Sequence, residues 1–131
     1  AYCTVVISDR LIGSPIIRNP GHLVAMNRPS LEKFAATVKS GGVIFINSSI
    51  ISIDAGREDV DVIKVPIIEI AKSLGNVKAA NIIALSAFVA RSKVVDFELL
   101  QKAVKDKFAQ KEKLIPLNMH ALEEGRKAAL G

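Results

Sequence analysis

Two short polar turns hold the side chains best suited to chemistry in this 131-residue sequence. Each turn directly follows a short, uniformly apolar run, one at residues 23–26 and one at residues 43–46. Parallel strands end at the same edge of a sheet, and open α/β folds bind their ligands outside that edge. Free N–H groups at the start of a following helix also favour an anion such as a phosphate. The predicted ligand-binding residues are Asn27, Arg28, Ser30, Asn47, Ser48 and Ser49.

Helix capping is the alternative explanation for the first turn. Ser30, or Asn27 with Pro29 at the first helical position, is of a type that satisfies the free N–H groups of a helix start. Residues 31–38 carry apolar side chains at helical spacing, and Gly41 and Gly42 follow them as a helix stop. Capping and ligand binding use the same groups, so both interpretations remain open at this stage.

The elements that position the two turns alternate between strand and helix. Residues 23–26 and 43–46 are apolar throughout, as expected of strands that are covered on both faces. The helix between them predicts a right-handed parallel crossover. Two further strands are predicted, at residues 2–8 with a β-branched run at 4–7, and at residues 60–65. The other predicted helices cover residues 67–74, 79–90, 97–108 after Asp96 as cap, and 118–129.

Two segments leave their role undecided. Gly13, Pro15, Pro20 and Gly21 mark a long turn-rich connection between the first two predicted strands. The helix at residues 79–90 is apolar nearly all round, which indicates either the core of this chain or a contact with another subunit.

The sequence is poor in residues for catalysis or metal binding. Cys3 is the only cysteine, whereas a four-iron cluster takes four thiolates, and the apolar residues around Cys3 predict a small core residue. His22 and His120 lie far apart without companion ligands, which argues against zinc. Neither a P-loop nor a G-x-S-x-G motif occurs. We therefore predict no catalytic residue and no metal site on this chain.

Charge and hydropathy limit the partners. The net charge of +5 favours an acidic partner or ligand, but aromatic residues make up only 5% of the chain, which leaves few platforms for nucleic-acid bases. Lys102, Lys105 and Lys107 are interpreted as a solvated helix face.

No apolar run approaches the roughly 18–20 residues that span a bilayer, and no signal peptide is visible. A single cysteine suits a reducing compartment, so we expect a cytoplasmic protein without membrane or nucleic-acid partners.

Five segments in register resemble the gamma subunit, or gamma domain, of the 2-oxoacid:ferredoxin (acceptor) oxidoreductases. The resemblance extends over essentially all 131 residues. The segments are VAMNRPSLEKF at 24–34, KSGGV at 39–43 with NSS at 47–49, VPIIEIA at 65–71, LGN at 74–76 with AN at 80–81, and LNMHALEEG at 117–125.

The resemblance implies a fold, an activity and a set of partners. The implied fold is α/β, a Rossmann-like three-layer sandwich with a mostly parallel sheet. The implied reaction is the coenzyme A-dependent oxidative decarboxylation of a 2-oxoacid such as 2-oxoglutarate or pyruvate, with electrons passed to ferredoxin. Thiamine diphosphate, Mg, coenzyme A and 4Fe-4S clusters then belong to the complex with alpha, beta and delta subunits, and no cofactor is expected on this chain alone. Its implied role is accessory, in assembly and in shaping the coenzyme A site.

The sequence departs from the family pattern at its start. Family members open with a glycine-rich unit of the G-x-G-G-Q-G type, which is absent here, so residues 1–131 are expected to form a single, N-terminally incomplete domain that matches the C-terminal part of the family domain. Two other interpretations rank below the gamma-subunit one. The first is a stand-alone small α/β module that binds a nucleotide or phosphorylated metabolite, and the second is a nucleic-acid binder.

Overall fold

The computed structural model describes residues 2–14 and 16–131, so Pro15 of the predicted turn-rich connection lies outside the described residues. The described chain folds around a three-stranded parallel sheet in the order β1-β2-β3. The strands are β1 (His22–Ala25), β2 (Val43–Asn47) and β3 (Asp61–Val65). The helices are α1 (Arg28–Phe34), α2 (Ile67–Ser73), α3 (Ala80–Ser92), α4 (Phe97–Lys107) and α5 (Ile115–Leu130).

The central strand β2 is buried along its whole length and divides the core into two layers. Because side chains alternate between the faces of a strand, Val43 and Phe45 pack against the cluster that includes α3 and α5. Ile44 and Ile46 pack on the other face, against the cluster that includes Leu31 of α1. The α/β class and the three-layer arrangement with a parallel sheet are therefore confirmed.

Helix α1 is shorter than its sequence pattern predicts. It ends at Phe34, and Ala35–Thr37 form a 3-10 turn, although the apolar face continues to the buried Val38. The chain must then turn sharply into β2, and it does so at a positive φ of 82° in Gly41. The next residue has no space for a side chain, because a Cβ on Gly42 would lie 2.6 Å from the carbonyl oxygen of Gly21.

Helices α3 and α5 pack against each other more extensively than any other pair of helices, and a glycine at their contact allows a close approach. Ile83 and Ala87 of α3 are almost fully buried, while Gly125 of α5 lies directly against the Ile83 carbonyl. The apolar helix is thus mainly core of this chain, although Leu85 remains 41% exposed. Asp96 occupies the N-cap position of α4 but makes no side-chain capping hydrogen bond. None of the described helices combines the length and the apolar character that crossing a membrane requires.

The strand predicted at residues 2–8 is wrong. These residues form no strand, and Cys3, predicted to be a core residue, is exposed. A β-branched run favours extended backbone, but strand preference depends on packing against neighbours in a sheet. No described strand pairs with this segment.

Candidate functional site

The carboxyl edge of the sheet brings the two predicted turns together. In the parallel register Ala25 of β1 pairs with Ile46 of β2, so both strands end side by side. The Asn47 amide nitrogen Nδ2 then donates a hydrogen bond of 3.2 Å to the carbonyl oxygen of Met26, the residue directly before the first turn. The predicted proximity of the two turns is therefore observed.

The first turn is a helix cap. Asn27 has an extended backbone, and its Oδ1 accepts a hydrogen bond of 3.0 Å from the Ser30 N–H. The Asn27 carbonyl accepts the Leu31 N–H at 3.2 Å. Asn27, and not Ser30, is thus the capping residue, and Pro29 stands in the first turn of α1, where a missing N–H costs little.

Arg28 points to the surface and not across the two turns. Its Nε lies 3.1 Å from Oε1 of Glu32, one helical turn later, and more than half of each side chain is exposed. Exposed ion pairs of this spacing contribute about 0.3–0.5 kcal/mol. Arg28 is consequently an exposed cation at this edge that a partner or ligand can reach.

The second turn ties all three strands to helix α2. Asn47 is 1% exposed, and its carbonyl accepts the N–H groups of Ile50 and Ile51. The Ser48 N–H donates to the carbonyl of Val65 at 3.0 Å, which joins the turn to the end of β3. The polar backbone of this turn is therefore used inside the fold.

Ser49 caps helix α2, although it is not adjacent to that helix in sequence. Its Oγ accepts hydrogen bonds from the N–H groups of Ile68 at 3.1 Å and Glu69 at 3.2 Å, the first turn of α2. Pro66 occupies the N-cap of α2 and has no side chain that accepts a hydrogen bond. The one signal in the sequence was this helix start without a capping residue, whose free N–H groups require an acceptor from elsewhere.

Arg57 is a structural residue that the sequence pattern did not reveal. Its Nη1 donates to the carbonyls of Ala35 and Val38, both at 2.9 Å. These two carbonyls belong to the 3-10 turn that follows α1 and to the residue after it. Its Nε and Nη2 hold both carboxylate oxygens of Asp59 at 2.7 Å. This hydrogen-bonded pairing lowers the pKa of Asp59 from 3.8 to about 2.

The loop around Arg57 also lines an open surface depression. Its wall includes Asp54, Glu58 and Lys64 besides Arg57. Lys64 is itself paired with Asp54 at 3.0 Å. The depression thus has charged walls, but two of its charges, on Arg57 and Lys64, are matched by neighbouring carboxylates.

The two histidines lie apart from the turns and from each other. His22 opens β1 at the opposite edge of the sheet, where its ring meets Phe88 edge-on at 5.4 Å between centroids. Partial burial and the nearby Arg91 charge lower the pKa of His22 below 6.5. His120 is exposed on α5, 3.4 Å from Glu124. Within residues 2–14 and 16–131, no three His, Cys, Asp or Glu side chains gather as a metal site.

Comparison with known proteins identifies a family and relatives that this chain resembles. Residues 1–128 match the family described as pyruvate ferredoxin/flavodoxin oxidoreductase. The chain is 41% identical over 124 residues to ketoisovalerate oxidoreductase subunit VorA of Methanothermobacter thermautotrophicus, which covers 94% of this chain and 26% of that relative. The chain therefore spans about a quarter of the length of VorA.

Two solved structures share the fold. The keto/oxoacid ferredoxin oxidoreductase gamma subunit of Geobacter sulfurreducens superposes with a TM-score of 0.77 at 32% identity, over 84% of this chain and 64% of that one. The 2-oxoglutarate:ferredoxin oxidoreductase of Magnetococcus marinus, solved with 2-oxoglutarate, coenzyme A and succinyl-CoA, gives a TM-score of 0.75 at 22% identity, over 83% of this chain and 19% of that one. The second likeness supports the fold alone. With the match over residues 1–128, the chain belongs to the pyruvate ferredoxin/flavodoxin oxidoreductase family.

Proposed function

We propose that this chain is the gamma-type part of a 2-oxoacid:ferredoxin oxidoreductase and that it is not catalytic alone. The observation that carries the proposal is the family match over residues 1–128, together with the superposition on a gamma subunit at a TM-score of 0.77. The reaction of the assembly is the coenzyme A-dependent oxidative decarboxylation of a 2-oxoacid. Ketoisovalerate, named for VorA, is the first substrate to test. 2-Oxoglutarate is the second, named for the 2-oxoglutarate synthase subunit KorC of Methanocaldococcus jannaschii, to which the chain is 33% identical over 104 residues.

The chemistry of the chain supports an accessory role. Cys3 is the only thiol of the sequence, so its residues do not fit an iron–sulfur cluster, which takes four ligands. Among the described residues, no group of three or more His, Cys, Asp or Glu side chains could hold the metal ion that thiamine diphosphate needs. We assign these cofactors to alpha, beta and delta chains of the assembly, with ferredoxin as the electron acceptor.

The carboxyl edge of the sheet is the part of the chain that we assign to the coenzyme A side of the assembly. Asn27, Asn47 and Ser49 each make capping or turn hydrogen bonds within the fold, so they fix the shape of this edge. Arg28, exposed on this edge, supplies a cation of the kind that contacts phosphate. The edge therefore shapes the site, and the bond-making chemistry lies on other chains.

Purification through a tag on this chain, from the cells that make it, tests the proposal. The co-purifying chains are identified by mass spectrometry, and the eluate is assayed for coenzyme A-dependent ferredoxin reduction with ketoisovalerate, 2-oxoglutarate and pyruvate. We expect a thiamine diphosphate-binding chain, an iron–sulfur chain and activity on one of the three acids. A chain that purifies alone and without activity would contradict the proposal.

A further inference from the structure

Residues 102–113 carry a dense group of positive charges, called the lysine cluster below. All five of its lysines are exposed, and none forms an ion pair with a carboxylate of the described residues. Arg28, Lys64 and Arg91, by contrast, each hold a neighbouring carboxylate. With five lysines and only two acidic residues, the stretch has a net charge of +3, more than half of the +5 of the whole chain. The lysines are Lys102, Lys105, Lys107, Lys111 and Lys113.

Stabilisation of helix α4 does not account for all of these charges. Cations in the last turn of a helix interact favourably with the helix dipole. Only Lys105 and Lys107 lie in the last turn of α4, whereas Lys111 and Lys113 follow the end of the helix. The lysine cluster therefore presents uncompensated positive charge that an anionic partner can use.

The electron acceptors named for the family have different folds but share a negative charge. The family is described by two acceptors, ferredoxin and flavodoxin. An iron–sulfur cluster held by four thiolates is an anion, because the ligands bring more charge than the iron–sulfide core neutralises. Flavodoxin binds a flavin nucleotide, whose phosphate is negative. Acceptors without a common shape can still be recognised in common through their charge.

We propose that the lysine cluster steers anionic ferredoxin towards the oxidoreductase assembly. The inference rests on the proposed function, in which ferredoxin is the electron acceptor and the iron–sulfur clusters belong to other chains. Steering requires no contact with the cluster that releases the electron, because it raises the rate of encounter through the field of the whole surface. Nucleic acid is the less favourable anion, since aromatic residues make up only 5% of the chain.

Steady-state kinetics of the purified assembly test the steering. Lys102→Gln, Lys105→Gln and Lys107→Gln combined should lower kcat/KM for ferredoxin at least about 5-fold at about 20 mM salt, through a raised KM at unchanged kcat. The difference from the wild type should vanish at about 0.5 M salt, where the charges are screened. The same variant should reduce methyl viologen, a small dication, at the wild-type rate, because steering by lysines acts on anions.

A matched variant separates the lysine cluster from the net charge of the chain. Lys39→Gln, Lys72→Gln and Lys78→Gln combined also remove three charges, from exposed lysines outside the cluster. This variant should change kcat/KM for ferredoxin less than about 2-fold. Since the replaced side chains are all exposed, both variants should assemble and unfold like the wild type.

The outcomes distinguish this inference from the proposed function. Steering alone is overturned if the cluster variant keeps the wild-type kcat/KM for ferredoxin, loses methyl viologen reduction equally, or matches the control variant. Nucleic acid that co-purifies with the wild type but not with the cluster variant, without a change in ferredoxin kinetics, assigns the lysines to nucleic acid and also overturns it. If no oxidoreductase chain is recovered with the tagged protein, the proposed function and this inference fail together.

Discussion

At the scale of single residues, the polar side chains of the two turns work mainly for the fold. Asn27 caps α1, Asn47 is buried between two strand ends, and Ser49 caps α2 from a distance. These residue types serve equally well in ligand sites and in caps, because both functions consist of satisfying free N–H groups. Only the positions of the hydrogen-bond partners separate the two roles.

Replacing Ser49 by alanine should destabilise the chain by about 1 kcal/mol, because two N–H groups at the start of α2 lose their acceptor. Urea unfolding followed by circular dichroism measures the change. Ser48→Ala is the matched control, since no side-chain hydrogen bond of Ser48 occurs among the described residues, and it should stay within about 0.5 kcal/mol of the wild type. Equal losses for both variants would show that Ser49 is not the cap.

His22 should make stability depend on pH near neutrality. Its pKa is lowered in the folded chain by partial burial against Phe88 and by Arg91, so the unfolded chain binds the proton more readily. The free energy of unfolding should therefore decrease as the pH falls below 6.5. His22→Gln should flatten this dependence. Identical pH profiles for the wild type and His22→Gln would refute the assignment.

At the scale of elements, the loop between β2 and β3 is fixed by one charged side chain. Residues 48–60 contain no helix or strand, yet Ile51 is buried beside α1 and Arg57 bonds the last carbonyls of the α1 segment. Asp59 in turn orients the Arg57 guanidinium through two hydrogen bonds. Loop, helix end and carboxylate therefore behave as one unit.

Acid should release this unit. The pKa of Asp59 is lowered from 3.8 to about 2 by the bonds from Arg57, so the ionised carboxylate stabilises the fold above pH 4 and the contribution is lost as the pH falls through about 2. Asp59→Asn should accordingly lower the thermal midpoint at pH 7, and its difference from the wild type should shrink towards pH 2. Asp54→Asn, which removes an exposed ion pair with Lys64, is the control and should have little effect at either pH.

The contact between α3 and α5 depends on the absence of a side chain at Gly125. A Cβ there would lie 2.5 Å from the Ile83 carbonyl oxygen and 2.9 Å from the Ser86 Cβ, while the Ser86 hydroxyl donates to the Leu122 carbonyl nearby. Gly125→Ala gains about 1 kcal/mol of helix propensity but overpacks a close backbone contact, at a cost of about 1–3 kcal/mol.

We therefore expect Gly125→Ala to destabilise the chain by up to about 2 kcal/mol in chemical unfolding. The matched control on the same helix is Lys127→Ala, where the side chain is 65% exposed and the change should be within about 0.5 kcal/mol. A stabilised Gly125→Ala variant would mean that α3 and α5 can separate without loss, contrary to the packing described above.

At the scale of the whole molecule, a rigid three-layer core carries two different surfaces. One is the carboxyl edge of the sheet, where Arg28 is exposed, and the other is formed by the exposed apolar side chains within residues 2–14 and 16–17. Neither surface is an enclosed pocket, and both lie on a chain that matches only part of the length of its relatives. Both features agree with the accessory role proposed above.

The isolated chain should bind coenzyme A weakly if the accessory role is correct. Titration calorimetry should give a dissociation constant for coenzyme A above about 1 mM, because Asn27, Asn47 and Ser49 already have partners within the fold. The purified assembly should bind it saturably. Tight binding by the isolated chain would favour the stand-alone nucleotide-binding module instead.

Sequence patterns alone determined most of the elements of this protein. The uniformly apolar runs before the two turns predicted β1 and β2, and apolar residues at helical spacing predicted α1 and α4, because burial on one or both faces imposes these patterns on the chain. The other three helices were also predicted, α3 from a segment that is apolar nearly all round. The neighbouring strand ends followed from the parallel order. The family resemblance, carried by motifs across the chain, was likewise visible in the sequence and is confirmed by the match over residues 1–128.

Tertiary structure alone decided how the polar residues are used. Ser49 and Arg57 form hydrogen bonds with backbone groups about 20 positions away in sequence, so no local sequence pattern predicts these contacts. The segment at residues 4–7 has the composition of a strand but forms none, since strand formation requires a neighbour that composition cannot supply. Burial patterns are local in sequence and can be recognised without the structure. Hydrogen bonds between residues distant in sequence form only when the fold brings the loops at the strand ends together.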